Sequence, residues 1–109
     1  MAGKFELETA KSGKFHFNLK ASNGRIILSS EMYESRKAAE VGIASVKKNA
    51  ADEKRYDRKK STKGEHYFNL KSANGEPIGR SEMYTTAAGM ESGIASVTKN
   101  APDAAVVDG

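Results

Sequence analysis

A chain of 109 residues with 18 Lys and Arg, 14 Asp and Glu, and 38% hydrophobic residues is sized for one domain, able to bury about two-thirds of its unfolded surface. It has no Cys, which excludes zinc ribbons, thiol catalysis and disulfide scaffolds. A formal net charge of +4 speaks to solubility and loose association, not to a particular ligand. No apolar run approaches the ~20 residues of a membrane span, and the start of the chain lacks the apolar core of a signal peptide, so a cytoplasmic location with no membrane contact is expected.

In chain order, Phe5 and Leu7 alternate with Glu6 and Glu8, and Phe15, Phe17 and Leu19 alternate with His16, Asn18 and Lys20. Both have the period of a half-buried strand. Asn23-Gly24 is a hairpin signal leading into a third strand over Arg25 to Ser30. A three-residue loop with Gly24 in the left-handed region sets Ile27 opposite Leu19, whereas a two-residue turn would rotate Ile27 outward. The three-residue loop is preferred; it leaves Ile26 and Leu28 on the outer face. After Tyr33 the period becomes helical: Ser35 suits an N-cap, and Ala39, Gly42, Ile43 and Val46 form one stripe of a helix of about 13 residues. Gly42, costly in a helix interior, marks a close approach between helix backbone and sheet. Arg36 and Lys37 oppose the helix dipole without a reason visible in the sequence.

The pattern then repeats. At an offset of 51, Lys14 to Ala50 overlies Glu65 to Ala101 with 20 of 37 positions identical, which establishes a duplication. The same offset carries Phe5 to Tyr56 and Tyr56 to Val107, so Ala104 to Asp108 opens a truncated third unit. In the second copy the expected register pairs Leu70 with Ile78 and turns Pro77 and Gly79 outward. Repeat 1 spans about 1–52, repeat 2 about 53–103, and 104–109 forms a short terminal strand of the same domain. A βββα unit of ~50 residues cannot bury its own sheet face and helix stripe, but two can complete each other. The expected fold is α+β: two βββα repeats forming one antiparallel sheet, both helices on one face, a pseudo-twofold axis between the repeats, and the terminal strand added beside the first repeat.

The matched motifs Phe17-Asn18-Leu19-Lys20, Asn23-Gly24, Ser30-Glu31-Met32-Tyr33 and Gly42-Ile43-Ala44-Ser45-Val46, with their second copies and Pro102-Asp103, resemble the YegP-like family of small bacterial tandem-repeat proteins. The resemblance spans essentially the whole chain. It implies tandem β3α repeats in a single sheet with C-terminal strands exchanged between repeats, and it implies no activity. The first copy departs from it in having Ala51 where the second has Pro102.

No nucleophile elbow, phosphate loop or dinucleotide fingerprint is present, and no cofactor or metal is implied. His16 and His66 are one position out of repeat register, so they face opposite sides of the sheet and form no pair. The cluster Lys54, Arg55, Arg58, Lys59, Lys60 and Lys63, opposed only by Asp57, could attract phosphates or simply guard an exposed strand from aggregation. On the uncovered face Lys20, Lys71 and Tyr67 offer cations and one aromatic, which is fewer rings than sheet-type RNA binders use. Ser30, Glu31 and Tyr33, with Ser81, Glu82 and Tyr84, sit at strand-to-helix junctions; they satisfy free backbone groups or line a small-molecule site between the repeats. The expected function is therefore a non-enzymatic interaction module, with a polyanion such as RNA or DNA, or another protein, as partner. A small-molecule binder or enzyme at the repeat junction and a self-associating structural protein are the alternatives; the chain is expected to be a monomer or weak homo-oligomer.

Overall fold

The structure, a computed structural model, describes residues 3–108. Met1, Ala2 and Gly109, which the sequence reading includes in the first repeat and the terminal strand, lie outside the described residues. The elements are β1 (Lys4–Thr9), β2 (Phe15–Lys20), β3 (Ile26–Ser29), α1 (Arg36–Asn49), β4 (Tyr56–Lys60), β5 (His66–Lys71), β6 (Pro77–Arg80), α2 (Ala87–Asn100) and β7 (Ala105–Asp108). Among the described residues no helix is long and apolar enough to cross a membrane.

Seven strands form one sheet in the order β4-β5-β6-β3-β2-β1-β7. The repeats meet where β3 and β6 run antiparallel, joined through Ser29 and Arg80. These two residues are equivalents at the 51-residue offset, so the pseudo-twofold axis passes between them. The sheet is mixed rather than wholly antiparallel, because β7 joins β1 in parallel, with Phe5 opposite Val106 and Leu7 opposite Asp108. β7 thus runs opposite in direction to β4, the strand that opens its own repeat, and takes the outer edge of β1.

Each helix starts on a hydroxyl cap: Ser35 Oγ accepts from the Ala38 N–H at 3.1 Å, and Thr86 Oγ1 from the Gly89 N–H at 3.0 Å. The stripes Ala39, Gly42, Ile43, Val46 and Met90, Gly93, Ile94, Val97 are buried. They pack on Phe5, Phe17, Leu19, Phe68 and Leu70, all fully buried. Each such side chain contributes about 1.5–3 kcal/mol by leaving water. Each helix also reaches the other repeat's third strand, α1 packing on β6 and α2 on β3, which interlocks the halves. Arg36 acquires a reason here: its guanidinium donates to Asp108 on β7 at 2.6 Å and to Glu40 at 3.3 Å, tying the terminal strand to α1.

The hairpin loop is as expected, whereas the strand register beyond it and the role of the helix glycines are corrected. The Asn23-Gly24 loop is the three-residue one, with Gly24 at φ +86° and Ala21 donating to the Arg25 carbonyl at 2.9 Å. A β-bulge at Ile27 then shifts the register, so that Lys20 faces Ile26 but Leu19 faces Leu28. Leu28 is consequently buried on the helix side and not on the outer face, and Ile27 stays in the core beside it. The second repeat does the same: Lys71 faces Pro77, while Leu70 faces Gly79 and not Ile78. Gly79 thus shares the inner face with Leu28, whose Cδ2 would lie 2.7 Å from a Cβ at position 79. The helix glycines are also used differently from the reading. Gly42 and Gly93 make room for the rings of Tyr33 and Tyr84, not for strand backbone.

Candidate functional site

Because side chains alternate along a strand, the register fixes what the uncovered face presents. Through its centre runs a row of directly opposed residues, Val107, Glu6, Asn18, Ser29, Arg80, Asn69 and Asp57, one from each strand. Flanking it are Lys4, Lys20 and His16 in the first repeat and Lys59, Lys71 and Tyr67 in the second. The two repeats build matching ion pairs at equivalent positions. Lys20 Nζ lies 3.0 Å from Glu6, and Lys71 Nζ 3.1 Å from Asp57. Lys4 and Lys59 join these carboxylates at 3.9 and 3.3 Å. The hydrogen bond from Lys20 holds the Glu6 carboxyl below its ordinary pKa, and that from Lys71 does the same for Asp57.

Arg80 differs from these lysines. Among the described residues it has no carboxylate partner, and its guanidinium lies over the Tyr67 ring, 5.5 Å from the centroid. Beside it opens a cleft of about 360 Å³ lined by Ser29, Ser30, Glu31, Asn69, Pro77, Gly79 and Arg80. Asn69 is 8% exposed, and its amide has no hydrogen-bond partner among the described residues. Its repeat counterpart Asn18 donates to Glu8 at 3.4 Å; the residue at Glu8's place in the second repeat is Lys59, which cannot accept.

The basic run does not form one patch. Arg58 points to the helix side and pairs with Glu91 of α2 and with Glu53, contacts that raise its pKa and lower that of Glu91. Arg55 donates to Asn49 at 3.2 Å and lies 3.5 Å from Asp52. Lys59 faces the uncovered side, Lys60 the opposite one, and Lys54 and Lys63 flank β4 at its two ends. Strand alternation has divided the cluster, and carboxylates neutralise half of it.

The junction residues are also separated. Ser30 Oγ accepts from the Phe17 N–H at 2.8 Å and donates to the Glu31 carbonyl at 2.8 Å; Ser81 Oγ repeats this with Phe68 and Glu82 at 3.0 and 2.8 Å. Both hydroxyls are committed to backbone. Tyr33 stacks on Phe17 with ring centroids 6.0 Å apart, and burial raises the phenol pKa of Tyr33 and Tyr84. Ser30 and Glu31 line the outer cleft, whereas Glu82 and Tyr84 line a second cavity of about 360 Å³ against α2, with Arg25 and Ser92. The six residues therefore do not converge on one site. His16 faces outward opposite Glu8 and His66 lies on the other side of the sheet opposite Lys60, as their register offset requires. Among the described residues no group of three His, Asp or Glu side chains could hold a metal ion.

Sequence reading overlooked Arg80 and Asn69 as a pair. The signal was present in the repeat alignment: Arg80 replaces Ser29, Pro77 replaces Ile26 and Lys59 replaces Glu8, all on one face of otherwise matching strands.

The fold and this surface define a class: a duplicated α+β protein that roofs one sheet face with a helix from each repeat and leaves the other bare. Residues 10–57 and 61–108 each match the family described as a domain of unknown function, DUF1508, and the chain belongs to that family. In this frame the second unit ends in β7, which lies beside β1, and the first reaches only the start of β4, which lies beside β5; both partner strands fall outside the unit's own span. The chain is 52% identical over 106 residues to UPF0339 protein YegP of Yersinia pestis, covering 97% of this chain and 95% of that one. It is 51% identical over 108 residues to UPF0339 protein YegP of Escherichia coli K12, covering 99% and 98%. The solution NMR structure of the E. coli protein of unknown function yegP superposes with a TM-score of 0.94 at 51% identity, over 99% of this chain and 93% of that one. That of UPF0339 protein SO3888 from Shewanella oneidensis gives 0.93 at 41% identity, over 99% and 92%.

Proposed function

We propose that the chain is a non-catalytic interaction module whose uncovered sheet face receives a single-stranded nucleic acid. The observation that carries this reading is Arg80: at the centre of a bare face where each lysine has a carboxylate, it is the guanidinium without one among the described residues, lying over the aromatic ring of that face. An aromatic–guanidinium platform accepts a base by stacking, and the flanking lysines are spaced along the strands to meet phosphates. Their ion pairs with Glu6 and Asp57 are surface pairs, worth little individually and readily exchanged for phosphate oxygens. Lys54 and Lys63 extend positive charge beyond the two ends of β4.

Fluorescence anisotropy with labelled mixed-sequence RNA and DNA at 50 and 200 mM salt tests the proposal. Three phosphate contacts weaken binding roughly twentyfold over that range, from a slope of about 0.7 per contact for single strands. Lys20→Glu/Lys71→Glu should abolish it, and Lys59→Glu/Lys60→Glu should weaken it. No binding at 50 mM salt, or binding indifferent to these charges, refutes the reading; binding of a protein partner instead would place the chain among protein-interaction modules.

A further inference from the structure

We infer that the cleft between Asn69, Arg80 and Pro77 is a pocket for a nucleobase, with adenine favoured; the inference deepens the nucleic-acid reading and rests on it. Asn69 as a residue is nine-tenths buried, and its amide is unpartnered among the described residues. No side-chain nitrogen or oxygen wholly cut off from solvent lacks a partner there, so this amide opens into the cleft that Asn69 lines. Its donors and acceptor are therefore open to a ligand that presents a donor beside an acceptor. A nucleobase edge presents that pair, and the bidentate match of Asn to adenine is the best defined of them.

The remaining walls suit the same occupant. Pro77 supplies a flat apolar surface, Arg80 is held by Tyr67, and the volume of about 360 Å³ accommodates a planar ring. Glu31 at the cleft makes a bare phosphate a poor competitor, because its carboxylate repels an anion while accepting from exocyclic amino groups. The first repeat lacks the pocket: Ser29 stands at the position of Arg80, and Asn18 already donates to Glu8. One base is read, on one side of the pseudo-twofold axis.

The experiment compares nine-nucleotide oligoadenylate and oligouridylate on the wild type and on Asn69→Leu, together with 15N NMR of the Asn69 side-chain amide in the presence of adenosine monophosphate or inorganic phosphate. Oligoadenylate should bind at least about fivefold more tightly than oligouridylate. In Asn69→Leu the ratio should fall within twofold, with the salt slope, which reports the phosphate contacts, unchanged. Adenosine monophosphate should shift the Asn69 amide resonances and inorganic phosphate should not. Equal affinities in the wild type, a preference that survives Asn69→Leu, or amide resonances unmoved by both the oligoadenylate and the monophosphate overturn the pocket. Salt-dependent strand binding would in that event still stand, so the two readings fail separately. Should Asn69→Leu not fold, the wild-type resonances decide.

Discussion

Leu28 and Gly79 occupy equivalent positions on either side of the pseudo-twofold axis, and the account requires their sizes to be complementary. Leu28 is 1% exposed, and a Cβ at position 79 would lie 2.7 Å from its Cδ2 and 2.8 Å from its Cγ. Since the branch point itself is in the way, rotation of a methyl group does not clear the contact. Gly79→Ala should therefore cost about 1–3 kcal/mol through overpacking. Leu28→Ala should cost about 2–5 kcal/mol by removing buried methyl groups and leaving a cavity. In the double variant the methyl group introduced at position 79 enters that cavity, and the lost unfolded-chain entropy of Gly favours folding by about 0.4–1 kcal/mol. Adding Gly79→Ala to Leu28→Ala should thus be neutral or stabilising, giving a coupling energy of at least about 1 kcal/mol. Urea denaturation followed by far-UV circular dichroism on the four proteins measures it. Additive single costs would refute the packing at the axis and, with it, the bulged register that brings Leu28 inward.

Tyr56 joins the halves by another route: its hydroxyl donates to the Ala50 carbonyl at 2.7 Å and lies 3.1 Å from Thr98 Oγ1. Tyr56→Phe should cost only about 1 kcal/mol in urea denaturation, because the Thr98 hydroxyl, 3.1 Å from the Ala50 carbonyl and 3.0 Å from that of Ile94, can turn its one proton to Ala50; Tyr56→Phe/Thr98→Val should cost about twice that. Acid should destabilise the fold in a defined way. Glu6 and Asp57 have lowered native pKa values, set chiefly by hydrogen bonds from Lys20 and Lys71. Their contribution is complete above the unfolded carboxylate pKa of about 4 and is lost as pH falls through the lowered native values. In thermal melts between about pH 5 and pH 2, Glu6→Gln/Asp57→Asn should lose less stability than the wild type. Asp108→Asn should loosen β7, seen as faster hydrogen exchange of the Val106 to Asp108 amides with the β5 amides unchanged, because its anchor is the exposed pair with Arg36.

The duplication, the strand and helix periods and the Ser35 cap were legible because each is a local pattern expressed twice. The bulges at Ile27 and Ile78 were not. The loop chemistry at Gly24 and Gly75 sets the register only as far as Lys20 and Lys71, and burial of Leu28 against Gly79 then shifts it, a constraint that exists only once two repeats share an axis. The same holds at the candidate site. Lys54 to Lys63 stands out in a linear chain, but strand alternation sends Arg58 toward Glu91 and Lys59 toward Asp57. Strand alternation puts Asn69 on the uncovered face, but Arg80 becomes its neighbour only through pairing of β5 and β6, while Ser29 arrives from the other repeat. The helix-dipole conflict at Arg36 likewise dissolves through Asp108, 72 residues away.

Mapping a single-stranded oligonucleotide onto the protein by 15N NMR tests the central claim most directly. The account predicts shifts concentrated at Tyr67, Asn69, Lys71, Arg80 and Lys20, with the solvent-facing residues of α1 and α2 unmoved at saturation. Shifts gathered on the helices, or confined to residues 54–63 while the centre of the sheet stays silent, would contradict it.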